Sequence, residues 1–246
     1  MKLSPLFALP VAAIIILLFN AEGLATALKA SHRMSGFSID NSHYIYLESS
    51  RNSVTEVPTA QIQIINIENN SCVRDGCLET EYDRIAYSLT NRAAEDDLLN
   101  KTLTIRHDLG LNRLKVGIQL PIIERKINHD YPPRSGIDRS ETVSFRLNNP
   151  GNPLYIRLDQ KHIPSALSGG SSPVARASMR LVVNYNYYQL TLGDLNNYRD
   201  GVMNYSIREV RLSPNRDNVV VLIDLTQPME EGVLETTFVQ SFPLPR

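Results

Sequence analysis

The chain has 246 residues, 42% of them apolar and 21% charged, with 25 Lys and Arg against 26 Asp and Glu. That balance excludes a disordered or collagen-like chain, and a formal charge of −1 argues against a nucleic-acid partner, which calls for a basic surface. Two cysteines are too few for a disulfide-stapled miniprotein, while the length suffices for one large or two small cores.

Lys2 supplies a short positive segment, Leu3 to Phe19 form an uncharged run, and Ala25-Thr26-Ala27 completes the small-x-small pattern that signal peptidase accepts. The run is shorter than the roughly 20 apolar residues of a spanning helix, and Pro5 and Pro10 interrupt it. The expectation is a signal peptide over residues 1–27, cleaved after Ala27, and a mature chain that begins at Leu28. The alternative is an uncleaved N-terminal anchor. No cysteine lies near the cleavage point to take a lipid, and no later apolar run approaches membrane length. The expected location is therefore the periplasm or the exterior, with no transmembrane segment after cleavage.

Beyond a short leader, an Asp40-Asn41 turn precedes the β-branched and aromatic run from His43 to Leu47. A polar loop is expected from Glu48 to Thr59. Ala60 to Ile67 alternates apolar and polar through Ile64, as a half-buried strand does. The two runs read as an antiparallel pair. Cys72 and Cys77 then bracket Val73-Arg74-Asp75-Gly76. In an oxidising compartment this spacing reads as a structural disulfide closing a tight loop. It lacks the second cysteine or histidine cluster a zinc site needs, and it is not the C-x-x-C of a redox pair.

Between Thr80 and Asp108 the period changes. Tyr82, Ile85, Leu89 and Ala93 recur at three and four residues, and Leu99 and Leu103 continue the stripe, which predicts one long or two short amphipathic helices. The acids Glu79, Glu81, Asp83, Glu95, Asp96 and Asp97 read as a solvated face. Strand signals return from Leu114. Tyr131 to Gly136 reads as a loop, with the seam between two regions expected over Asp130 to Arg139. Asn148 to Pro153 reads as a turn, and Ser165 to Pro173 as a second loop. In the last third, a phase change between Ile207 and Val210 predicts a bulge near Arg208. Val219 to Leu225 is apolar almost throughout, which suits a central strand.

Two blocks resemble a bacterial family of predicted secreted proteins of unknown function. The first is Phe37 to Asp40, the aromatic strand after it, and Ala60 to Asn69, which also resemble a propeller-blade hairpin. The second comprises Asn204 to Val210, Val219 to Asp224, Pro228 to Gly232, and Phe238. This resemblance implies an address and a chain layout, with a helical stretch after the hairpin. It implies no catalytic residues.

No motif for chemistry stands out. Histidines at 32, 43, 107, 129 and 162 show no metal-ligand spacing. Ser168 to Ser172 lacks the Gly-x-Ser-x-Gly elbow. Asp194 to Gly201 places Tyr198 and Arg199 where a calcium loop needs an oxygen ligand and a glycine. Eleven bases face six acids between Lys101 and Lys161, which reads as a mixed surface with no single basic face. Asn69, Asn100 and Asn204 begin sequons that matter only in a eukaryotic host.

The expected fold is mostly β: antiparallel sheets, sandwich-like or a blade-like hairpin plus a sheet, with one amphipathic helical segment near 80–108. The expected division is an N-terminal region over 28–130 and a C-terminal β region over 131–246, with a single domain over 37–246 as the alternative. The expected function is that of a non-catalytic periplasmic binding or interaction protein, meeting an envelope component or another protein. No cofactor, metal site or catalytic residue is expected. An envelope hydrolase or transferase whose site forms only in three dimensions is the rival; His129 or His162 grouped with carboxylates in a pocket would favour it. An anchored scaffold would follow if the signal were retained.

Overall fold

Five successive apolar residues can all be buried in one strand only if both faces of its sheet are covered. Val219 to Ile223 meet that condition, since each is at most 1% exposed. In the computed structural model, which describes residues 27–52, 54–129, 137–147, 153–164, 175–229 and 232–245, they lie in the middle of the middle sheet. The signal run, the seam loop over 130–136, and the loops at 148–152 and 165–174 lie outside the described residues.

The chain order is β1 (Ala27–Lys29), β2 (Ser31–Phe37), β3 (His43–Arg51), β4 (Pro58–Asn66) and β5 (Ser71–Glu79). A 3-10 turn (Arg84–Ser88), α1 (Asn91–Lys101) and α2 (Leu103–Asp108) follow. Then come β6 (Ile118–Gln119), β7 (Ile122–His129), β8 (Arg139–Phe145), β9 (Leu154–Pro164), β10 (Ala175–Tyr185), β11 (Tyr188–Gly193), β12 (Asn204–Leu212), β13 (Asn218–Met229) and β14 (Gly232–Pro243).

These strands form three sheets. The meander sheet β2-β3-β4-β5 has the strand count and up-and-down order of a propeller blade. The central sheet runs β1-β14-β13-β12-β6, antiparallel except where β1 pairs parallel with β14. The distal sheet runs β11-β10-β9-β8-β7. Ile156 and Leu181 of the distal sheet share a core with Val219, Val221 and Ile223. Phe37, Tyr44, Tyr46, Ile65 and Ile67 of the meander pack on Val220, Leu222 and Val239 from the opposite side. The back of the meander, Ile45, Leu47, Ile62 and Ile64, is covered by Ala94, Leu98 and Leu111. The mostly β, antiparallel expectation holds, and the layers number four.

The expected helical segment divides into the 3-10 turn and two helices, so the stripe drawn across it does not keep one face. Ile85 and Leu103 are 81% and 61% exposed, while Ala94, Glu95 and Leu98 are buried. Thr90 caps α1 by accepting from the Ala93 N–H at 3.1 Å. Glu95 departs from the solvated-face expectation: Arg33 donates to it at 3.0 Å and the Ser49 hydroxyl at 2.7 Å. These partners supply the compensation a buried carboxylate requires.

The bulge near Arg208 is present as a register shift between Ile207 and Glu209. It leaves Tyr205, Ile207, Val210 and Leu212 in the core shared with the distal sheet. Arg208 turns instead toward the meander, where it meets Tyr46.

β12 pairs with β6 only at Arg211 and Leu212, which leaves its remaining edge to side chains of the distal sheet. The Gln160 amide donates to the Tyr205 carbonyl at 2.7 Å and accepts the Tyr205 N–H at 2.8 Å. Glu141 accepts the Ile207 N–H at 3.1 Å, and Arg125 donates to the Ile207 carbonyl at 2.7 Å. Arg125 also pairs with fully buried Glu141 at 2.7 Å. Side chains thus complete the ladder where no strand does. β7, at the end of the distal sheet, has no such cover: all eight of its residues are exposed.

Candidate functional site

The interface between the meander and the central sheet changes character along its length. On β4 and just past its end the residues facing the central sheet pass from Ile67 and Ile65 to Gln63 and Gln61, and on β3 from Tyr44 and Tyr46 to Glu48. On β14 they pass from Val239 to Thr237. At the apolar end the sheets close on each other. At the polar end lies a cleft of about 380 Å³ between β3, β4 and β5 on one wall and β13 and β14 on the other.

Glu48 anchors the polar wall and is 1% exposed. One carboxylate oxygen accepts the Thr237 N–H at 2.6 Å and the Gln61 amide; the other accepts the Thr237 hydroxyl at 2.7 Å. Gln63 bridges the sheets, donating to the Thr237 carbonyl at 2.6 Å and accepting the Val239 N–H at 3.1 Å. Arg208 reaches the same group, donating to the Thr237 hydroxyl oxygen and to the Tyr46 phenol, each at 2.8 Å. Positive charge is therefore relayed to Glu48 through Thr237 without direct contact.

Behind Arg208 stand Asp224 at 3.2 Å and, beyond it, Lys29 at 3.6 Å from Asp224. Burial, above all, pushes the Asp224 carboxyl up against the pull of Arg208 and Lys29. Burial and the nearby Glu48 push the Tyr46 phenol up to about 12, so it stays protonated and serves as a hydrogen-bonding post. His32 lies 5.1 Å from Tyr46, ring to ring; burial first, then Arg208 and Arg211, hold its imidazole below the usual range.

The mouth is of different composition. Leu225, Leu234 and Phe238 give an apolar wall, and the Arg199 guanidinium lies 3.9 Å over the Phe238 ring. Arg199 is exposed and has no acid partner among the described residues. Glu79 stands at the opposite lip, its carboxyl pushed up by burial and then by Glu81.

Cys72 and Cys77 line the same cleft, with sulfurs 2.05 Å apart, at disulfide distance, and Cα atoms 5.8 Å apart. They do not flank a hairpin turn. Both belong to β5, opposite Ile65 and Gln63, so the residues between them bulge out of an edge strand. Asp75 takes the left-handed conformation there, with φ of 58°. Ala27, the expected cleavage point, is the first residue of β1, three positions before Ala30 of the cleft lining.

The histidines do not converge on the cleft. His129 is exposed at the end of β7; His162 lies 3.4 Å from Asp138, away from the cleft lining. Asp194 accepts the Asn196 N–H at 2.9 Å within its turn. Among the described residues no three His, Cys, Asp or Glu side chains group as a metal site, and no helix is long and apolar enough to cross a membrane.

Glu48, Gln61, Gln63, Thr237, Arg199 and Phe238 are absent from the sequence-derived candidates. The available signal was the pair Gln61 and Gln63 on an otherwise apolar strand, together with an acid that continues an aromatic one. A family model described as "Predicted secreted protein (DUF2259)" matches residues 51–240. No curated protein and no solved structure matches the chain.

Proposed function

The chain belongs to this family of predicted secreted proteins, and on that footing we propose that it is a non-catalytic binding protein of the periplasm, holding its ligand in the cleft between the meander and the central sheet. Export would end with cleavage after Ala27, in a compartment where Cys72 and Cys77 bond. The pairing of β6 with β12 and the packing of the meander on β13 and β14 support a single folded unit over 37–246.

The observation that carries this reading is the contrast between the floor and the mouth. A catalytic carboxylate needs a free oxygen aimed at substrate. The oxygens of Glu48 are instead taken by three hydrogen bonds from Gln61 and Thr237. At the mouth the open cation is Arg199, beside Phe238, Leu225 and Leu234 and across the cleft from Glu79. That combination suits a ligand with an apolar body and an anionic group.

Anilinonaphthalene sulfonate, an aromatic body with one anionic group, is the probe. Saturable one-site binding is expected, weakened about tenfold by Arg199→Glu with circular dichroism unchanged. Binding indifferent to Arg199→Glu would refute the cleft as the site. Native mass spectrometry of the chain from its host envelope tests the rest. The expected mass starts at Leu28, is reduced by two hydrogens for the disulfide, and carries a co-purified ligand.

A further inference from the structure

An edge strand exposes a row of backbone donors and acceptors, and proteins normally obstruct it. The obstruction is visible elsewhere in this molecule. β12 is sealed by Gln160, Glu141 and Arg125, and β5 is broken by the bulge between Cys72 and Cys77. Among the described residues β7 pairs with β8 alone, and its irregularity falls near its start, between Ile122 and Glu124. Ile122, Ile123 and Ile127 are 40%, 51% and 45% exposed.

We propose that β7 pairs with β7 of a second copy of this chain, antiparallel about a two-fold axis, joining two distal sheets into one. The charge pattern selects both the occupant and the register. An axis relating antiparallel neighbours stands normal to the sheet, so each face keeps its side and opposed residues share parity. The central registers are therefore those centred on a residue. Centring on Glu124 or on Lys126 sets that charge against its own copy, an unfavourable cross-strand pair.

Centring on Arg125 sets Glu124 against Lys126 of the other copy, twice, within the regular stretch of β7 that follows its irregularity at Ile123. The like charges at the axis are already compensated, because each Arg125 is held by its own Glu141 at 2.7 Å and by the Ile207 carbonyl. Glu124 and Lys126 already lie 2.9 Å apart along one strand, on the face opposite Arg125. Duplication would turn that pair into a four-charge ladder across the axis.

Sedimentation velocity of the full chain, over a range of concentrations, tests this inference. The wild type is expected to form a dimer that dissociates on dilution. Lys126→Glu should weaken it about tenfold by opposing acids at two positions, and so should Glu124→Lys by opposing bases. The exchange Glu124→Lys with Lys126→Glu should restore wild-type association, a rescue that a folding defect would not give. A strictly monomeric wild type would overturn the inference, as would a dimer indifferent to the single changes. So would β7 found occupied by a strand of a different protein while the chain remains monomeric.

Discussion

Arg208→Met tests the electrostatic framework of the cleft. The substitution keeps the aliphatic stem and removes the guanidinium, with its hydrogen bonds to Tyr46 and Thr237 and its pairing with Asp224. Two charge-assisted hydrogen bonds contribute about 1.5 kcal/mol each. The carboxylate left behind on Asp224 adds to this, because its side chain is only 16% exposed. Lys29 remains 3.6 Å away and holds that addition to about 1 kcal/mol, so the total is about 4 kcal/mol, within the range for breaking a buried pair. For a chain of this size that lowers Tm by about 8–16 °C.

The sign of the pH dependence follows from Asp224. Burial raises its carboxyl even with Arg208 present, so the folded state takes up its proton before the unfolded state does. Stability linked to such a group falls as pH rises through the raised range and returns on acidification. The deficit of Arg208→Met, measured against wild type by thermal melts at neutral and at acid pH, should therefore shrink on acidification, as the raised carboxyl takes up its proton. Adding Asp224→Asn should abolish that pH response. A deficit below about 1 kcal/mol, or one equal at both pH values, would refute the argument.

Two further outcomes are expected. Cys72→Ser with Cys77→Ser should cost about 2 kcal/mol, the closure entropy of so short a loop, and the variant's melt should not respond to reductant as the wild-type melt does. Gln160→Leu should leave the Tyr205 N–H and carbonyl without partners, at about 2 kcal/mol; hydrogen exchange at Tyr205 should accelerate, and wild-type protection there would contradict the sealed-edge account.

The legible parts of this fold were those in which local pattern decides the outcome. Val219 to Ile223 announced a strand buried on both faces, and the phase change after Ile207 announced the bulge at Arg208. What escaped depends on which layer covers which face. Period-two alternation shows that Gln61 and Gln63 share a face, but only the arrival of β14 makes that face an interior wall instead of a wet one. Glu48 and Glu95 escaped for the same reason, since an acid becomes a buried acid only when Thr237 or Arg33 is brought to it from far along the chain. Spacing joined Cys72 and Cys77, which lie at disulfide distance, yet nothing local told a loop from a bulge in a strand held by Gln63 and Ile65.

The parallel pairing of Leu28 with Leu234 joins the N-terminal strand to the C-terminal hairpin, and both large interfaces share β13. When residues emerge in order, the meander and the distal sheet are complete before β12, β13 and β14 exist to cover their inner faces. Closure waits for residues 218–243, which emerge after both. Contacts of such long sequence separation make folding slow by topology. Up to that point the polypeptide is a pair of half-finished layers that can still be drawn out as a thread, which is the condition for passing through a membrane pore.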